Sequence, residues 1–324
     1  MTNAYAAPVL RWYAAHARDL PWRQSGASPW SVLVSEIMLQ QTPVARVLPA
    51  HAAWLARWPS PQSLAAAAPG DAVRQWGRLG YPRRALWLHA AARILTDEHG
   101  GQVPASVQAL RELPGVGSYT AAAVASFAFG QRHAVLDTNV RRVLARLVQG
   151  VELPPRSTSA AEVTLAEALL PMPPRRAARW SVAVMELGAL VCTAASPDCA
   201  GCPVMRQCAW RRSGSPAAAA RPAAQPRYAG SDRECRGRLL GILRDAEGPV
   251  PATRLDAAWP DRAQCARALR ALVVDGLAEA LDCGMYALPG HAPGPRAHSP
   301  DTPAPGHQDL MTGPGVAALA VTRR

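Results

Sequence analysis

LRELPGVGSYTAAA, residues 110–123, joins two helical patterns through Pro114-Gly115-Val116-Gly117. One helix runs up to Leu113 and the next starts near Ser118. Two glycines around an apolar residue permit a tight turn whose amides point outward at a helix N-terminus. That arrangement binds phosphate without side chains. An ordinary connection between helices would serve packing alone. The leading Leu113-Pro114 and the helices on both sides favour a phosphate-binding helix–hairpin–helix. Ala121, Ala122, Ala123 and Ala125 let the second helix approach a neighbour closely.

Outward from the hairpin, residues 1–210 are dense in helical patterns broken by Pro and Gly, without sustained two-residue alternation. The fold class is mainly α. Residues 211–232 are rich in Ala, Pro and Arg and read as a linker. Residues 233–289 form a smaller unit. In it RECRGRLLGILRDA is helical, GPVP is a break, ATRLDAAW is a short helix, and Asp261 caps RAQCARALRALVVDG. LAEALDCGMYALP then suggests two short strands. Three helices and a hairpin describe a winged helix, a module that contacts either DNA or protein. Residues 290–324, rich in Pro, Gly and His, read as a disordered tail.

The chain has 324 residues, 49% of them hydrophobic, which suggests about two domains with sizeable cores. No apolar run reaches the roughly 18 residues of a membrane span, and the N-terminus has no secretory pattern. A monomeric, cytoplasmic protein associated with the nucleoid is expected, with no membrane partner. The net charge is +12, and all 35 basic residues are Arg. Arg binds phosphate bidentately, so the balance points to nucleic acid. With no Lys anywhere, no side-chain amine can form a Schiff base.

Four of the seven cysteines, Cys192, Cys199, Cys202 and Cys208, fall in CTAASPDCAGCPVMRQC. Soft thiolates at turn-compatible spacing suit a four-iron cluster or a zinc ion, and spacing alone does not separate the two. Cys235, Cys265 and Cys283 are scattered and read as small hydrophobes.

In PWSVLVSEIMLQQTP, residues 29–43, Ser28 can cap a helix that has Pro29 at its first position. Trp30, Leu33, Val34, Ile37 and Met38 form one stripe. Glu36 lies on another face with Val32, Leu39 and Gln40. That face is nearly apolar. It would either raise the carboxyl's pKa, as a general acid requires, or hold a Glu paired with one of the many arginines. Thr42-Pro43 leaves Gln40-Gln41 at an exposed helix junction. Asp137, in HAVLDTNVRRVLARL, can cap the helix that follows, where dipole and free amides favour its charged form. One neutral and one charged carboxyl are what cleavage of a glycosidic bond through a cationic sugar needs.

Together SEIMLQQTPV, LGYPRRALWLHAAA, LPGVGSYTAAAVASFAFG, VLDTNVRRVLARL and the Cys motif after MELGALVC resemble the helix–hairpin–helix base-excision DNA glycosylases. Within these, the chain looks like the MutY-type adenine DNA glycosylases over residues 8–210. The resemblance implies two helical subdomains with a cleft between them, and a [4Fe–4S] cluster on the four cysteines. It implies duplex DNA with a mismatched adenine as partner, the base being flipped into the cleft. It makes Glu36 the acid that protonates adenine and Asp137 the stabiliser of the sugar cation, supported by Tyr119 and Asn139. Arg18, Trp22, Leu39 and Glu186 would line the adenine pocket. Gln40, with Gln41 beside it, and Tyr81 would enter the duplex. Leu113, Gly115, Val116 and Gly117 would hold backbone phosphate. Where related glycosylase-lyases carry a catalytic Lys, this chain has Tyr119, which favours hydrolysis by water. Residues 233–289 are too short for the Nudix-like domain that reads 8-oxoguanine in better-known members. The competing readings are a thymine mismatch glycosylase and a non-enzymatic, redox-sensing DNA-binding regulator.

Overall fold

A computed structural model describes residues 3–218 and 227–291. The middle of the expected linker (219–226) and nearly all of the expected tail (292–324) lie outside the described residues. The larger part carries α1 (Ala6–His16), α2 (Pro29–Leu39), α3 (Val44–Arg57), α4 (Pro61–Ala65), α5 (Pro69–Trp76) and α6 (Arg83–Glu98). It continues with α7 (Val107–Glu112), α8 (Ser118–Phe129), α9 (Thr138–Leu144), α10 (Ala160–Ala168), α11 (Pro174–Leu190) and α12 (Ala209–Arg212). The smaller unit carries α13 (Asp232–Asp245), β1 (Val250–Pro251), α14 (Ala252–Asp256), α15 (Arg262–Val274), β2 (Glu279–Leu281) and β3 (Met285–Ala287). None of the described helices is long and apolar enough to cross a membrane.

Helix α2 starts as its sequence dictates. Ser28 accepts from the Ser31 amide at 3.1 Å, with Pro29 at the first position. Every residue from Trp30 to Met38 is buried, so α2 is a central helix with no solvent face. It packs on α8, where Ala121 and Ala125 supply a surface without bulk. Around this pair, α3–α7 close a first core. Trp54 meets Trp58 and Trp76 edge-on at 4.8 and 5.7 Å, and Leu33, Ile37, Leu88, Leu95 and Val124 fill the space between. A second core joins Val9 of α1, Val143 and Leu144 of α9, and Trp180, Val184 and Leu187 of α11 to Val204 and Trp210. The described chain is thus mainly helical with two cores, and residues 130–137 cross from α8 in the first to α9 in the second.

The winged-helix pattern of the small unit is present. Three helices accompany an antiparallel sheet in the order β1-β3-β2, with Val250 opposite Tyr286 and Ala280 also opposite Tyr286. GPVP is more than the expected break. Val250 is buried and its segment is the third strand, with Pro251 on the sheet edge, where a missing amide costs no ladder bond. The unit packs tightly on the α2–α8 core, to which its Leu239, Leu243, Leu255 and Leu272 contribute. Arg74 donates to the Arg244 and Ala246 carbonyls at 3.0 and 2.9 Å, and Arg244 donates back to the Val73 carbonyl at 3.0 Å. At Gly70, whose amide bonds the Pro289 carbonyl at 2.7 Å, a Cβ would lie 2.7 Å from that oxygen. The described residues up to His291 cluster as one compact unit. The positive charge sits in the larger part. Residues 3–218 hold 22 Arg against 12 acidic residues, whereas 232–289 hold 8 against 9.

Candidate active site

Glu36, on the buried turn of α2, is 5% exposed. Burial pushes its carboxyl up to about 7. The Arg23 guanidinium and a hydrogen bond from Tyr119 oppose that rise, and Asp137 adds to it. Tyr119 itself is pushed well above the ordinary phenol range, by burial and by the two carboxylates. At neutral pH a large share of Glu36 holds a proton.

Asp137 is the N-cap of α9. One carboxylate oxygen accepts from the Val140 amide at 2.6 Å and the other from Asn139 Nδ2 at 2.8 Å. The expectation that the helix terminus keeps this acid ionised is met only in part. Burial raises its pKa and outweighs the bonds from Val140 and Asn139 and the field of Arg142. The cap was legible from the sequence, but its depth between two cores was not. Arg142, which sequence reasoning did not single out, donates to Asn139 Oδ1 at 2.8 Å, to the Gly188 carbonyl at 2.7 Å and to the Cys192 carbonyl at 2.8 Å. Gly188 was also missed. A Cβ there would lie 2.7 Å from that of Asn139, so only glycine on α11 allows the start of α9 this close.

Glu186 is fully buried on the same helix. Arg18 grips it from Nε at 2.6 Å and Nη2 at 2.8 Å, with its backbone amide at 3.1 Å, and Arg23 Nη1 adds a bond at 2.6 Å. Burial alone would raise Glu186, but the two arginines bring it down to about 2. Arg23 thus stands between an acid it holds ionised and one it leaves partly protonated. Its only sequence signal was its place beside Trp22 in the 3₁₀ turn Pro21–Arg23. Trp22 is buried edge-on to His51 at 5.0 Å, and Leu39 is half-buried at the end of α2. A cavity of about 740 Å³ lined by Gln149–Pro155 and Pro216–Ala218 lies elsewhere, and Glu162 in its wall is paired with Arg141.

The two glutamines differ from each other. Gln41 is exposed, with φ 58°. Gln40, expected to protrude, is folded back, its Nε2 donating to the Gly115 carbonyl and to Thr120 Oγ1, both at 3.2 Å. The hairpin lies within reach of that amide, a proximity that local sequence cannot show. Tyr81 is exposed at φ 49°. In the hairpin Leu113 and Val116 are buried anchors, and the Val116 amide closes the turn onto the Leu113 carbonyl at 3.1 Å. Gly115 is required by its φ of 78° and by Trp87, whose Cβ would lie 3.0 Å from a Cβ at this position. Gly117 faces open space and offers α8 no side-chain cap, so the first amides of α8 remain for an outside acceptor.

The four cysteines follow α11. Cys202 is pushed up to about 11 by burial and by the other three thiols, which places all four in one another's field. Buried Arg146 donates to Cys192 Sγ at 3.4 Å and to the Thr193 and Ala194 carbonyls, while lying 4.8 Å over the Trp210 ring. Among the described residues, no group of three Cys, His, Asp or Glu closes around one metal ion. A donor set made only of thiols, flanked by Arg142, Arg146 and Arg211, suits an anionic iron–sulfur group.

Residues 34–166 match the HhH-GPD superfamily of base excision DNA repair proteins. The adenine DNA glycosylase of Mycolicibacterium smegmatis is 50% identical over 283 residues, 87% of this chain and 95% of that protein. The chain belongs to the adenine DNA glycosylase family. It is accordingly a DNA N-glycosylase of base excision repair. The human adenine DNA glycosylase is 41% identical over 218 residues, 65% of this chain and 40% of that protein. Among solved structures, a thermostable thymine-DNA glycosylase superposes with a TM-score of 0.59 at 28% identity, over 64% of this chain and 95% of that one. Glu36 and Asp137 both fall within the superfamily match. Glu186 and the four cysteines lie beyond it and are covered by the relationship to the adenine DNA glycosylases.

Proposed function

We propose that the protein binds duplex DNA and hydrolyses the bond between adenine and deoxyribose where adenine stands opposite 8-oxoguanine or guanine. The observation that carries this is the pairing of Glu36, buried and near half-protonated at neutral pH, with Asp137, which lies within its electrostatic reach and caps α9. The base must leave the stack before these groups can act on it. Glu36 gives its proton to the adenine ring, and the C–N bond breaks with its electron pair going to the base. Asp137 offsets the positive charge left on the sugar. Water adds to the sugar carbon and gives its proton to the Glu36 carboxylate, which restores the acid and leaves free adenine and an abasic site. Tyr119 holds the Glu36 carboxyl in place. Glu186, kept ionised by Arg18 and Arg23, offers a fixed acceptor edge to the base. The open amides at Gly117 and the start of α8 meet a phosphate. Cys192, Cys199, Cys202 and Cys208 would hold a [4Fe–4S] cluster, which when bound fixes the loop after α11.

Single-turnover assays on duplexes with adenine opposite 8-oxoguanine, guanine and thymine, and with thymine opposite guanine, test this reading. Adenine release is expected from the first two. Borohydride should trap no side-chain adduct, since the chain has no Lys. Thymine release from the G·T duplex without adenine release would establish the thymine glycosylase instead. Absence of any release would favour the DNA-binding regulator. For the metal site, the purified protein is expected to contain about four iron and four sulfide per chain, with the visible absorption of a cluster. Stoichiometric zinc without sulfide would refute that assignment.

A further inference from the structure

Two turns far apart in sequence meet at one guanidinium. Arg84, in the first turn of α6, is 6% exposed. Its Nη1 donates to the Gln40 carbonyl, its guanidinium lies 4.3 Å over the Tyr81 ring, and its backbone amide bonds the Tyr81 carbonyl at 3.0 Å. Each of the two turns carries a residue in the left-handed region, Gln41 at φ 58° and Tyr81 at φ 49°. Side chains rarely adopt that region unless their surroundings impose it. The Gln40 side chain completes a circuit by donating to the Gly115 carbonyl, and Gly115 packs on Trp87, one turn after Arg84 on α6.

We infer that Arg84 is a positioning residue that locks Gln40 and Tyr81 into a single wedge, so that the base opposite the target adenine is sensed by both together. This rests on the proposed function and on Gln40 and Tyr81 entering the duplex, as the resemblance to the MutY-type glycosylases implies. A guanidinium has the shape for this task. Its edge donates in plane to a carbonyl while its face stacks on a ring, and an ammonium cannot do both. Displacing Tyr81 by a different opposite base shifts the ring under the guanidinium and thereby its hold on Gln40. Neither turn has this coupling on its own.

The test measures Kd for duplexes that carry 2′-fluoro-deoxyadenosine, whose electron-poor sugar resists forming the cation, opposite 8-oxoguanine or guanine. Adenine release from the natural duplexes is measured in parallel. Wild type, Arg84→Met, Tyr81→Leu and the double variant are compared, with melting temperatures for each. Arg84→Met is expected to reduce the preference for 8-oxoguanine over guanine by about tenfold, the size of one charge-assisted hydrogen bond or desolvated cation–π contact. The double variant is expected to fall no further than Tyr81→Leu alone, because Arg84 acts through that ring. Arg84→Lys, which keeps the charge and the fold, should recover only part of the preference, and it carries the cycle with Tyr81→Leu if Arg84→Met does not fold. A wild-type preference in Arg84→Met, or losses that add in full in the double variant, overturns the inference while wild-type adenine release stands. Loss of adenine release in the wild type overturns the proposed function itself.

Discussion

Glu36→Gln is expected to slow adenine release in a single turnover by about 10²–10⁴-fold, the range that a positioned general acid contributes. Gln keeps the size of the side chain and can still bond Tyr119, so the loss reports the proton alone. The pH dependence gives the sign. Glu36 acts in its protonated form, and its pKa in the folded protein is about 7. Its contribution is therefore full on the acid side of 7 and falls as pH rises through it. Stability follows the same direction. The folded state binds this proton more tightly than the unfolded chain, whose carboxyl titrates near 4.5. Stability from Glu36 is complete below 4.5 and declines as pH rises toward 7, by on the order of 3 kcal/mol. Glu36→Gln has no ionisable group to bury, so it should melt above the wild type at pH 8 and much closer to it at pH 4.5. Thermal melts at the two values check this. An unchanged release rate, or a variant no more stable at pH 8, would remove Glu36 from the role of acid. The wild type on this account gives up stability at neutral pH for a proton it can donate, as active sites commonly do.

The elements were legible wherever a local pattern fixed them. Ser28 and Pro29 start α2, its apolar residues bury it, and Gly115 makes the hairpin turn; each follows from a few neighbouring residues. The three helices and wing of the small unit were legible for the same reason, and β1 was missed because two residues, one of them Pro, carry no alternation to read. At the site, the carboxylates could be picked out as acids in apolar surroundings or at a cap. What sets their chemistry could not, because it comes from partners far along the chain. Arg23 reaches Glu186 across 163 positions and Arg142 reaches Gly188 across 46. Gly188 matters only through what lies 2.7 Å away. Gln40 read as a protruding amide because its own segment ends there, whereas the hairpin that receives it is 75 positions later. Sequence supplied the actors of this site, and packing assigned their charges.

Asp137→Asn is the complementary experiment, because it separates charge from capping. Asn caps a helix about as well as Asp, so α9 should keep its start, and because burial raises the Asp137 pKa the melting temperature at neutral pH should be no lower than that of the wild type. Asp137→Ala leaves the Val140 amide without its 2.6 Å acceptor and should cost about 1 kcal/mol. If Asp137 serves only as a cap, Asn will retain adenine release and Ala will lose it. If its charge offsets the cationic sugar, both will lose about 10²–10³-fold, the measured scale for removing one preorganised electrostatic partner from a transition state. The second outcome is expected, since Asp137 lies within the field of Glu36 and bonds Asn139 as well as its own helix. The pH profile adds an independent sign. Asp137 acts ionised, and burial raises its pKa, so its contribution grows as pH rises through that raised value, opposite to Glu36. With one group needed charged and the other neutral, the wild-type rate should pass through a maximum below about 7, its two limbs belonging to the coupled pair. Asp137→Asn should flatten the acid limb and move the fall to lower pH, since the Asp137 charge helps to raise Glu36, whereas Glu36→Gln should remove that fall. A profile in Asp137→Asn that keeps both limbs would show that another group carries the charge.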